Sequence, residues 1–255
     1  MGNVTLVKEN IMDQNIQNRV AVVTGAGSGI GKAIALALAK EGVSVVAFGG
    51  RNAKNLDLVK AEIENAGAKC LAVPGDLRDQ KMLQSGINTV LSALGKIDFL
   101  INCAGVAQNT PIENVTPQEY DSIMDLNLRA PYFLTKEALP HLLKSDRATV
   151  INISSVVGHR GYRDQSVYTV SKHGLTGFTK SLAAEYYDKG LRVHLISPGG
   201  VMTEMIKLTR PELAGQEMIL PQDIANTIIF LLKNRGNAVI DEIILHRPGK
   251  EPFLV

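Results

Sequence analysis

The chain has 255 residues and a formal net charge of +2, and charged residues make up 20% of the sequence. That balance produces no strong field toward nucleic acid or an anionic membrane, so we expect neither as a partner. Cys70 and Cys103 both lie in apolar stretches and require no disulfide, which is typical of a reducing compartment. No apolar run is long enough to span a membrane and no signal peptide is evident, so we predict a cytoplasmic protein.

Strand-like and helix-like segments alternate along almost the whole chain. Residues 1–17 are polar without a clear pattern and are predicted to form an amino-terminal extension, before one domain over residues 18–255. The alternation predicts the α/β class, with a single doubly wound, Rossmann-like parallel sheet of about seven strands and helices on both faces. The predicted strands cover residues 19–23, 43–48, 70–73, 99–101, 148–153, 192–196 and 239–245, and the predicted helices cover residues 30–40, 56–65, 81–94, 122–143, 173–187 and 223–233.

A glycine-rich loop, residues 24–31, joins the first predicted strand to the first predicted helix. Glycines at this position permit a tight turn and the close approach of backbone to a pyrophosphate at a helix amino terminus. The spacing is Gly-x-x-x-Gly-x-Gly, which differs from the widespread Gly-x-Gly-x-x-Gly fingerprint. The loop therefore predicts a dinucleotide site, and the alternative is a glycine-rich turn that binds nothing.

Tyr168 and Lys172 stand one helical turn apart in a segment, 167–175, that is typical of a helix start, so the two side chains share a face. The β-branched stretch 148–153 predicts a buried strand that delivers Ser154 and Ser155 at its carboxyl end, where open α/β sheets bind ligands. A phenol with an ordinary pKa of about 10 is a poor base near neutrality. A cation about 4 Å away in an effective dielectric of about 20 supplies about 4 kcal/mol, enough to lower that pKa by about 3 units. We therefore predict that Tyr168 is an acid/base whose pKa is lowered by Lys172.

Together with the glycine loop, these residues resemble the short-chain dehydrogenase/reductase family over residues 19 to about 246. In that family a serine polarises the substrate oxygen, the lysine also binds the nicotinamide ribose, and an asparagine holds a water between the lysine and solvent. The gap of thirteen residues (168 − 155) matches the family and favours Ser155 over Ser154. The alternative for the asparagine is a backbone contact inside a kinked helix. The implied catalytic residues are Asn127, Ser155, Tyr168 and Lys172.

The resemblance also implies a cofactor site. Asp76 stands where the family contacts the adenine ring, and Asn-Cys-Ala-Gly at 102–105 resembles the family's Asn-Asn-Ala-Gly with Cys103 in the second place. Pro198, Gly199 and Thr203 match the segment that holds the nicotinamide carboxamide. The implied cofactor contacts are Thr24, Gly25, Ser28, Gly29, Ile30, Gly31, Arg51, Asn52, Asp76, Leu77, Asn102, Ala104, Gly105, Tyr168, Lys172, Pro198, Gly199, Val201 and Thr203.

The end of the second predicted strand bears on the choice between the two nicotinamide cofactors. An acid there would bond the ribose hydroxyls and repel a 2′-phosphate, but the chain has none before Asp57. Arg51 instead offers a charge-assisted partner for that phosphate, which favours NADP(H). Against this, Ser28 stands where many NADP-using relatives carry a basic residue, so NAD(H) stays possible.

We therefore predict an oxidoreductase that transfers a hydride between NADP(H) and a carbonyl or secondary alcohol, closest within the family to 3-oxoacyl-carrier-protein and carbonyl reductases. The carboxyl end, 239–248, departs from the Asp-Gly-Gly ending usual in the former. The alternatives are an NAD-dependent sugar, polyol or hydroxy-acid dehydrogenase and a catalytically silent, cofactor-binding regulatory protein. Arg160 and Arg163, near the edge of the predicted pocket, favour an anionic substrate. The alternative is that these loop arginines are solvated and contact no substrate. No metal-binding cluster is evident, and the predicted substrate contacts are Ser155, His159, Tyr162 and Met202.

The two longest predicted helices, 122–143 and 173–187, carry apolar residues on more than one face. Such a helix needs burial on both sides, and the sheet covers only one. The family pairs these helices between subunits, so we predict a homotetramer or a homodimer. The alternative is a monomer whose own loops cover the second face.

Overall fold

The computed structural model describes residues 14–50, 52–209 and 216–251. Its seven strands are β1 (Val20–Thr24), β2 (Ser44–Phe48), β3 (Cys70–Val73), β4 (Phe99–Asn102), β5 (Thr149–Ile153), β6 (Arg192–Pro198) and β7 (Glu242–Leu245). Its helices are α1 (Gly29–Lys40), α2 (Ala53–Asn65), α3 (Gln80–Leu94), α4 (Pro117–Met124), α5 (Ala130–Leu142), α6 (Ser166–Tyr186), α7 (Glu204–Thr209) and α8 (Pro221–Lys233). The strands form one parallel sheet in the order β3-β2-β1-β4-β5-β6-β7, which confirms the predicted doubly wound α/β fold.

The core is divided between the two faces of the sheet because successive strand residues point to opposite sides. In β1, Ala21 and Val23 join one apolar cluster, together with residues of α1, α2 and α8. Val20 and Val22 join the other cluster, with residues of α3, α5 and α6. All five residues of β1 are buried, as expected for a strand covered on both faces.

The order of the strands reverses beside β1, which pairs with β2 on one side and β4 on the other. Because the connections leave in opposite directions there, a crevice opens at the carboxyl ends of these strands. The same edge carries the ends of β5 and β6, since all strands run in one direction. The fold therefore provides a ligand site at this edge.

The predicted helix over residues 122–143 is in fact α4, a π-helical turn at Asp125–Arg129 and α5. Pro131 has no backbone N–H, so the normal helical bond to the carbonyl of Asn127 cannot form. The break in the helical ladder therefore falls at the implied catalytic asparagine. π-turns of this kind are frequent at functional sites.

Other predicted boundaries also differ from the structure: the helices predicted from 56 and 173 begin at 53 and 166, and the strand predicted to end at 196 ends at 198. The last strand begins at Glu242 and not at 239. Just before it, the carbonyl oxygen of Ile240 lies 2.6 Å from Nδ1 of His194, so this backbone group bonds a side chain and not a neighbouring strand. Residues 14–17, which the sequence assigned to the extension, belong to the fold. Ile16 is 1% exposed within the core, and the backbone N–H of Gln14 donates to the carbonyl of Lys233 at 2.9 Å. Within the described residues, no helix has the length and apolar character needed to cross a membrane.

Candidate active site

The crevice at the strand ends contains a cavity of about 570 Å³. Its wall includes Ser154 and Ser155 after β5, Tyr168 and Lys172 from α6, and Pro198 at the end of β6. The helix α6 begins at Ser166, so Tyr168 and Lys172 lie on one continuous helix, as predicted. The parallel sheet thus brings together residues that are far apart in the chain.

The glycine loop is hydrogen-bonded to the chain that follows β4, at one side of the crevice. The hydroxyl of Thr24 accepts hydrogen bonds from the backbone N–H groups of Cys103 at 2.9 Å and Ala104 at 3.0 Å. Gly25 has a φ of +70°, and a Cβ there would lie 3.0 Å from the Cα of Ala104. A Cβ on Gly31 would lie 2.3 Å from the carbonyl oxygen of Gly25. Only glycine fits these two positions of the turn, so the predicted loop residues do form one compact unit.

Ser154 and Ser155 differ in what holds their hydroxyls. The Ser154 hydroxyl lies 3.3 Å from both the carbonyl of Lys172 and the hydroxyl of Thr176, which ties β5 to α6. The Ser155 hydroxyl accepts one bond, from the N–H of Val157 at 3.2 Å, and contacts Tyr168. The Ser155 hydroxyl therefore lies beside the Tyr168 phenol, whereas the Ser154 hydroxyl contacts α6.

The electrostatics of Tyr168 and Lys172 differ from the sequence prediction. Burial raises the pKa of the Tyr168 phenol above its usual value, and the contact with Ser155 lowers it by less. Burial lowers the pKa of Lys172 to about 8. The ammonium donates to the carbonyl of Ile153 at 2.9 Å and lies 5.8 Å from the centre of the Tyr168 ring. The predicted lowering of the phenol pKa was wrong for the chain alone, because the loss of hydration outweighs a cation that is directed elsewhere.

Asn127 is 1% exposed and uses its side chain to join two segments of the site. Its amide nitrogen donates to the carbonyl of Val106 at 2.9 Å and to the hydroxyl of Ser171 at 3.1 Å, and its Oδ1 accepts from the N–H of Val106 at 2.9 Å. A Cβ on Gly105 would lie 3.1 Å from this Oδ1 and 3.7 Å from the ammonium of Lys172. Asn127 therefore stands beside Lys172 and bonds mainly to backbone, which was the alternative interpretation of this residue.

A family model described as short chain dehydrogenase matches residues 19–214. The chain belongs to the short-chain dehydrogenase/reductase family. A 3-oxoacyl-(acyl-carrier-protein) reductase of Synechocystis is 35% identical over 227 residues, covering 87% of this chain and 92% of that protein. The cyclohexanol dehydrogenase of an Acinetobacter species is 32% identical over 241 residues, covering 91% and 94%. This family member is therefore an NAD(P)-dependent oxidoreductase.

Solved structures of the short-chain dehydrogenase/reductase family superimpose on most of this chain. A metagenomic short-chain oxidoreductase in complex with NADP has a TM-score of 0.81 at 33% identity, and covers 92% of this chain and 99% of its own. A levodione reductase has a TM-score of 0.82 at 28% identity, and covers 90% and 96%. The fold is thus that of the family throughout the matched region.

The crevice suits the dinucleotide that this family binds. The glycine loop leaves no space for a Cβ at Gly31, so backbone alone lines the turn that enters α1. The first turn of α1 has no acidic residue, so the positive end of the helix faces the crevice without a competing carboxylate. Of the predicted cofactor contacts, those that line the cavity are Ile30, Gly105, Tyr168, Lys172, Pro198, Gly199, Val201 and Thr203.

Other predicted cofactor contacts take different places. The side-chain amide nitrogen of Asn102 donates to Thr135 at 3.1 Å and to Asn152 at 2.8 Å, so this amide joins β4, β5 and α5 rather than lining the cavity. Its buried Oδ1 has no partner among the described residues.

The remaining predicted contacts lie in other surroundings. Asp76 pairs with the guanidinium of Arg78 at 2.6 Å. Leu77 is buried and lines a small void with Ala104, whereas Gly29, Ser28 and Asn52 are exposed, and Arg51 lies outside the described residues.

The four predicted substrate contacts divide into two groups. Ser155 and Tyr162 line the cavity, but His159 and Met202 do not. His159 is directed toward β6 and β7, where its Nε2 lies 2.7 Å from the Glu242 carboxylate. Met202 is 38% exposed because its backbone pairs with Ile219, which leaves the side chain at the surface. The predicted contact of these two residues with substrate therefore has no support from the cavity lining and stays a prediction.

The site also includes two residues that were not among the predicted contacts, Gln108 and Cys103. Gln108 is 1% exposed, and its side-chain oxygen accepts from the N–H groups of Val167 at 2.9 Å and Tyr168 at 3.2 Å, so it caps α6 beside Tyr168. Cys103, which is half-buried and whose pKa burial raises to about 12, lines the cavity near Lys172. A capping glutamine sixty residues away (168 − 108) follows no local pattern, so only the folded chain reveals it.

Proposed function

We propose that this chain transfers a hydride between NADP(H) and a carbonyl or secondary alcohol, with Tyr168 as the acid/base. The observation that carries the proposal is that Ser155, Tyr168 and Lys172 line one cavity with Pro198 and Gly199. A phenol, a hydroxyl and an ammonium around one space can bind a substrate oxygen and exchange a proton with it. The bound nicotinamide supplies or accepts the hydride at the adjacent carbon.

The raised pKa of Tyr168 assigns its state at neutral pH. The phenol is protonated, which is the form that carbonyl reduction requires, because the substrate oxygen must gain a proton as its carbon gains the hydride. Ser155 donates a second hydrogen bond to the same oxygen. Lys172, with a pKa of about 8, is mostly cationic at neutrality and stabilises the phenolate left after the proton has moved.

We assign Asn127 the role of a positioning residue. Its bonds to Val106 and to Ser171 hold the chain after β4 against α6, and so hold the wall beside Lys172. A water between Asn127 and Lys172 remains compatible with this role. The side chain acts through its neighbours in either case.

The preference for NADP(H) rests on the end of β2. The strand ends at Phe48, and Gly49 and Gly50 follow without a carboxylate that would repel a 2′-phosphate. Arg51 comes next in the sequence and supplies a positive charge. The 33%-identical relative solved in complex with NADP adds support.

The substrate class draws support from the names of three relatives. They are a reductase of 3-oxoacyl groups, a dehydrogenase of cyclohexanol and a reductase of levodione. We propose a carbonyl compound or its secondary alcohol for this chain as well. The deciding experiment is a rate screen over ketones, 3-oxoacyl thioesters, sugars and polyols, each with both cofactors. Turnover confined to polyols with NAD would replace this proposal, and no turnover with any compound would refute it.

We also propose that the protein is a homotetramer or a homodimer. The helices α4, α5 and α6 lie next to one another and expose large apolar side chains. Tyr120 is 44%, Tyr132 is 48% and Val170 is 51% exposed. Exposed apolar groups grouped on adjacent helices are typical of an interface.

A further inference from the structure

The cavity wall carries an excess of positive charge. Arg160, Lys172, Arg247 and Lys250 line it, and Glu251 is the only carboxylate among its described lining residues. Lys172 has a role at the reacting oxygen, but the other three cations have none in the proposed chemistry. They come from the loop after Ser155 and from the chain after β7.

Arg160 is exposed, and it lines the cavity beside an aromatic neighbour. Its guanidinium carbon lies 5.0 Å from the centre of the Tyr162 ring, and Tyr162 also lines the cavity. Within the described part of the chain, no carboxylate forms an ion pair with Arg160. Arg163, only three residues on, is different: it is 94% exposed, lies 3.7 Å from Asp164 and does not line the cavity. Of these two exposed arginines, only Arg160 therefore lines the cavity.

Arg247 approaches the same cavity from the chain that follows β7. A Cβ on Gly200 would lie 3.2 Å from Cδ of Arg247, so the aliphatic part of the Arg247 side chain packs against the segment after Pro198. Its Nη1 donates to the side-chain oxygen of Gln216 at 2.9 Å and lies 3.2 Å from the sulfur of Met218. Both partners are neutral. The charge of Arg247 is thus uncompensated by any described carboxylate at bonding distance.

We propose that Arg160 and Arg247, with Lys250, bind a carboxylate on the substrate, so that the enzyme acts on oxo acids and the corresponding hydroxy acids. This inference rests on the proposed function, because it concerns the same cavity. Guanidinium groups suit a carboxylate, since their N–H donors match its two oxygens. A cavity with one sign of charge also raises the local concentration of an anionic substrate. The competing role is contact with the phosphates of the cofactor.

The test compares acids with matched neutral compounds. The substrates are methyl-ketone carboxylic acids of increasing chain length, each paired with its carboxamide, assayed with NADPH at low ionic strength. We expect the native enzyme to favour at least one acid over its amide in kcat/KM. Arg160→Met and Arg247→Met should lower this acid-to-amide ratio roughly 10- to 100-fold, the loss expected for a charge-assisted hydrogen bond. Arg163→Met is the control and should keep the native ratio.

Three results would overturn the inference while leaving the proposed function intact. One is reduction of acids and amides with equal kcat/KM by the native enzyme. Another is an equal fall of the ratio in Arg163→Met and Arg160→Met. The third is an unchanged ratio combined with weaker NADPH binding in Arg160→Met or Arg247→Met, which would assign these cations to the cofactor. Absence of turnover with acids, amides and neutral ketones alike would refute the proposed function and this inference with it.

Discussion

The Nε2 of His159 lies 2.7 Å from a carboxylate oxygen of Glu242, and this contact joins the loop after Ser155 to the last strand. Ser197 completes the group, since its hydroxyl lies 3.1 Å from His159 and donates to Glu242 at 2.9 Å. Ser197 comes directly before Pro198, which lines the cavity. The cluster therefore holds together two segments that line the active site.

The first prediction concerns this cluster. Glu242→Ala should lower the free energy of unfolding by about 1.5–3 kcal/mol, because partly buried partners lose a charged acceptor. Glu62→Ala is the control: Glu62 pairs with Lys32 at 2.6 Å, but both side chains are well exposed, so the loss should stay below about 1 kcal/mol. Urea unfolding of the two variants measures the difference. Equal losses would show that the cluster contributes no more than a surface pair.

The second prediction concerns the acid/base. Tyr168→Phe should reduce kcat by about 10²- to 10⁴-fold, because the phenol is the proposed proton donor. Binding of NADPH should remain nearly unchanged, since the ring is retained and only the hydroxyl is lost. Steady-state kinetics and a fluorescence titration with NADPH measure the two quantities. A Phe variant that keeps more than about a tenth of the native kcat would contradict the mechanism.

The third prediction concerns pH. Burial lowers the pKa of Lys172 from 10.5 to about 8, so between these values the unfolded chain binds more protons than the folded chain. The contribution of Lys172 to the free energy of unfolding should therefore rise with pH from about 8 upward, by about 2 kcal/mol between pH 8 and pH 10, as the buried charge is lost. Lys172→Met should remove the rise, whereas Lys60→Met, at a half-exposed residue, should retain it.

Urea unfolding of the cofactor-free enzyme between pH 8 and pH 10 provides this measurement. Burial raises the pKa of Cys70 to about 11 and that of Cys103 to about 12, and it also raises that of Tyr168, so these groups ionise first in the unfolded chain and lower the stability of the protein over the same pH range. The contribution of Lys172 is therefore the difference in the free energy of unfolding between the native enzyme and Lys172→Met at each pH. A difference that does not change from pH 8 to pH 10 would contradict the assignment to Lys172.

The fourth prediction concerns the cofactor. Arg51→Ala should weaken NADPH about 10- to 100-fold and change NADH little, because only NADPH carries the 2′-phosphate. Lys60→Ala, on the outer part of α2, should affect neither cofactor. Dissociation constants for both cofactors in the two variants decide the matter. An equal loss for NADPH and NADH in Arg51→Ala would remove this residue from the phosphate site.

The fifth prediction concerns assembly. Light scattering should give a mass two or four times the 27.5 kDa of one chain. Tyr132→Asp and Val170→Asp should shift the mass toward the monomer, because each places a charge in an apolar interface. Leu58→Asp is the control, since Leu58 is 69% exposed but lies on α2, on the other side of the sheet. A native mass near that of one chain would refute the prediction.

The fold and the central site residues follow from local patterns. Alternating apolar strands and helices are enough to predict a doubly wound sheet, because the two periodicities depend only on backbone geometry. The four-residue spacing of Tyr168 and Lys172 places them on one face of any helix. The glycine loop can also be recognised from the sequence, because Gly25 and Gly31 occupy positions where only glycine fits without a steric clash.

The properties that depend on burial and on distant neighbours required the tertiary structure. The direction of the Tyr168 pKa reversed, since the loss of hydration depends on atoms contributed by the whole fold. His159 was expected beside the substrate, but Glu242 lies within reach of it only because β6 and β7 pair. Periodicity describes neighbours along the chain, whereas charge, hydration and orientation depend on neighbours in space.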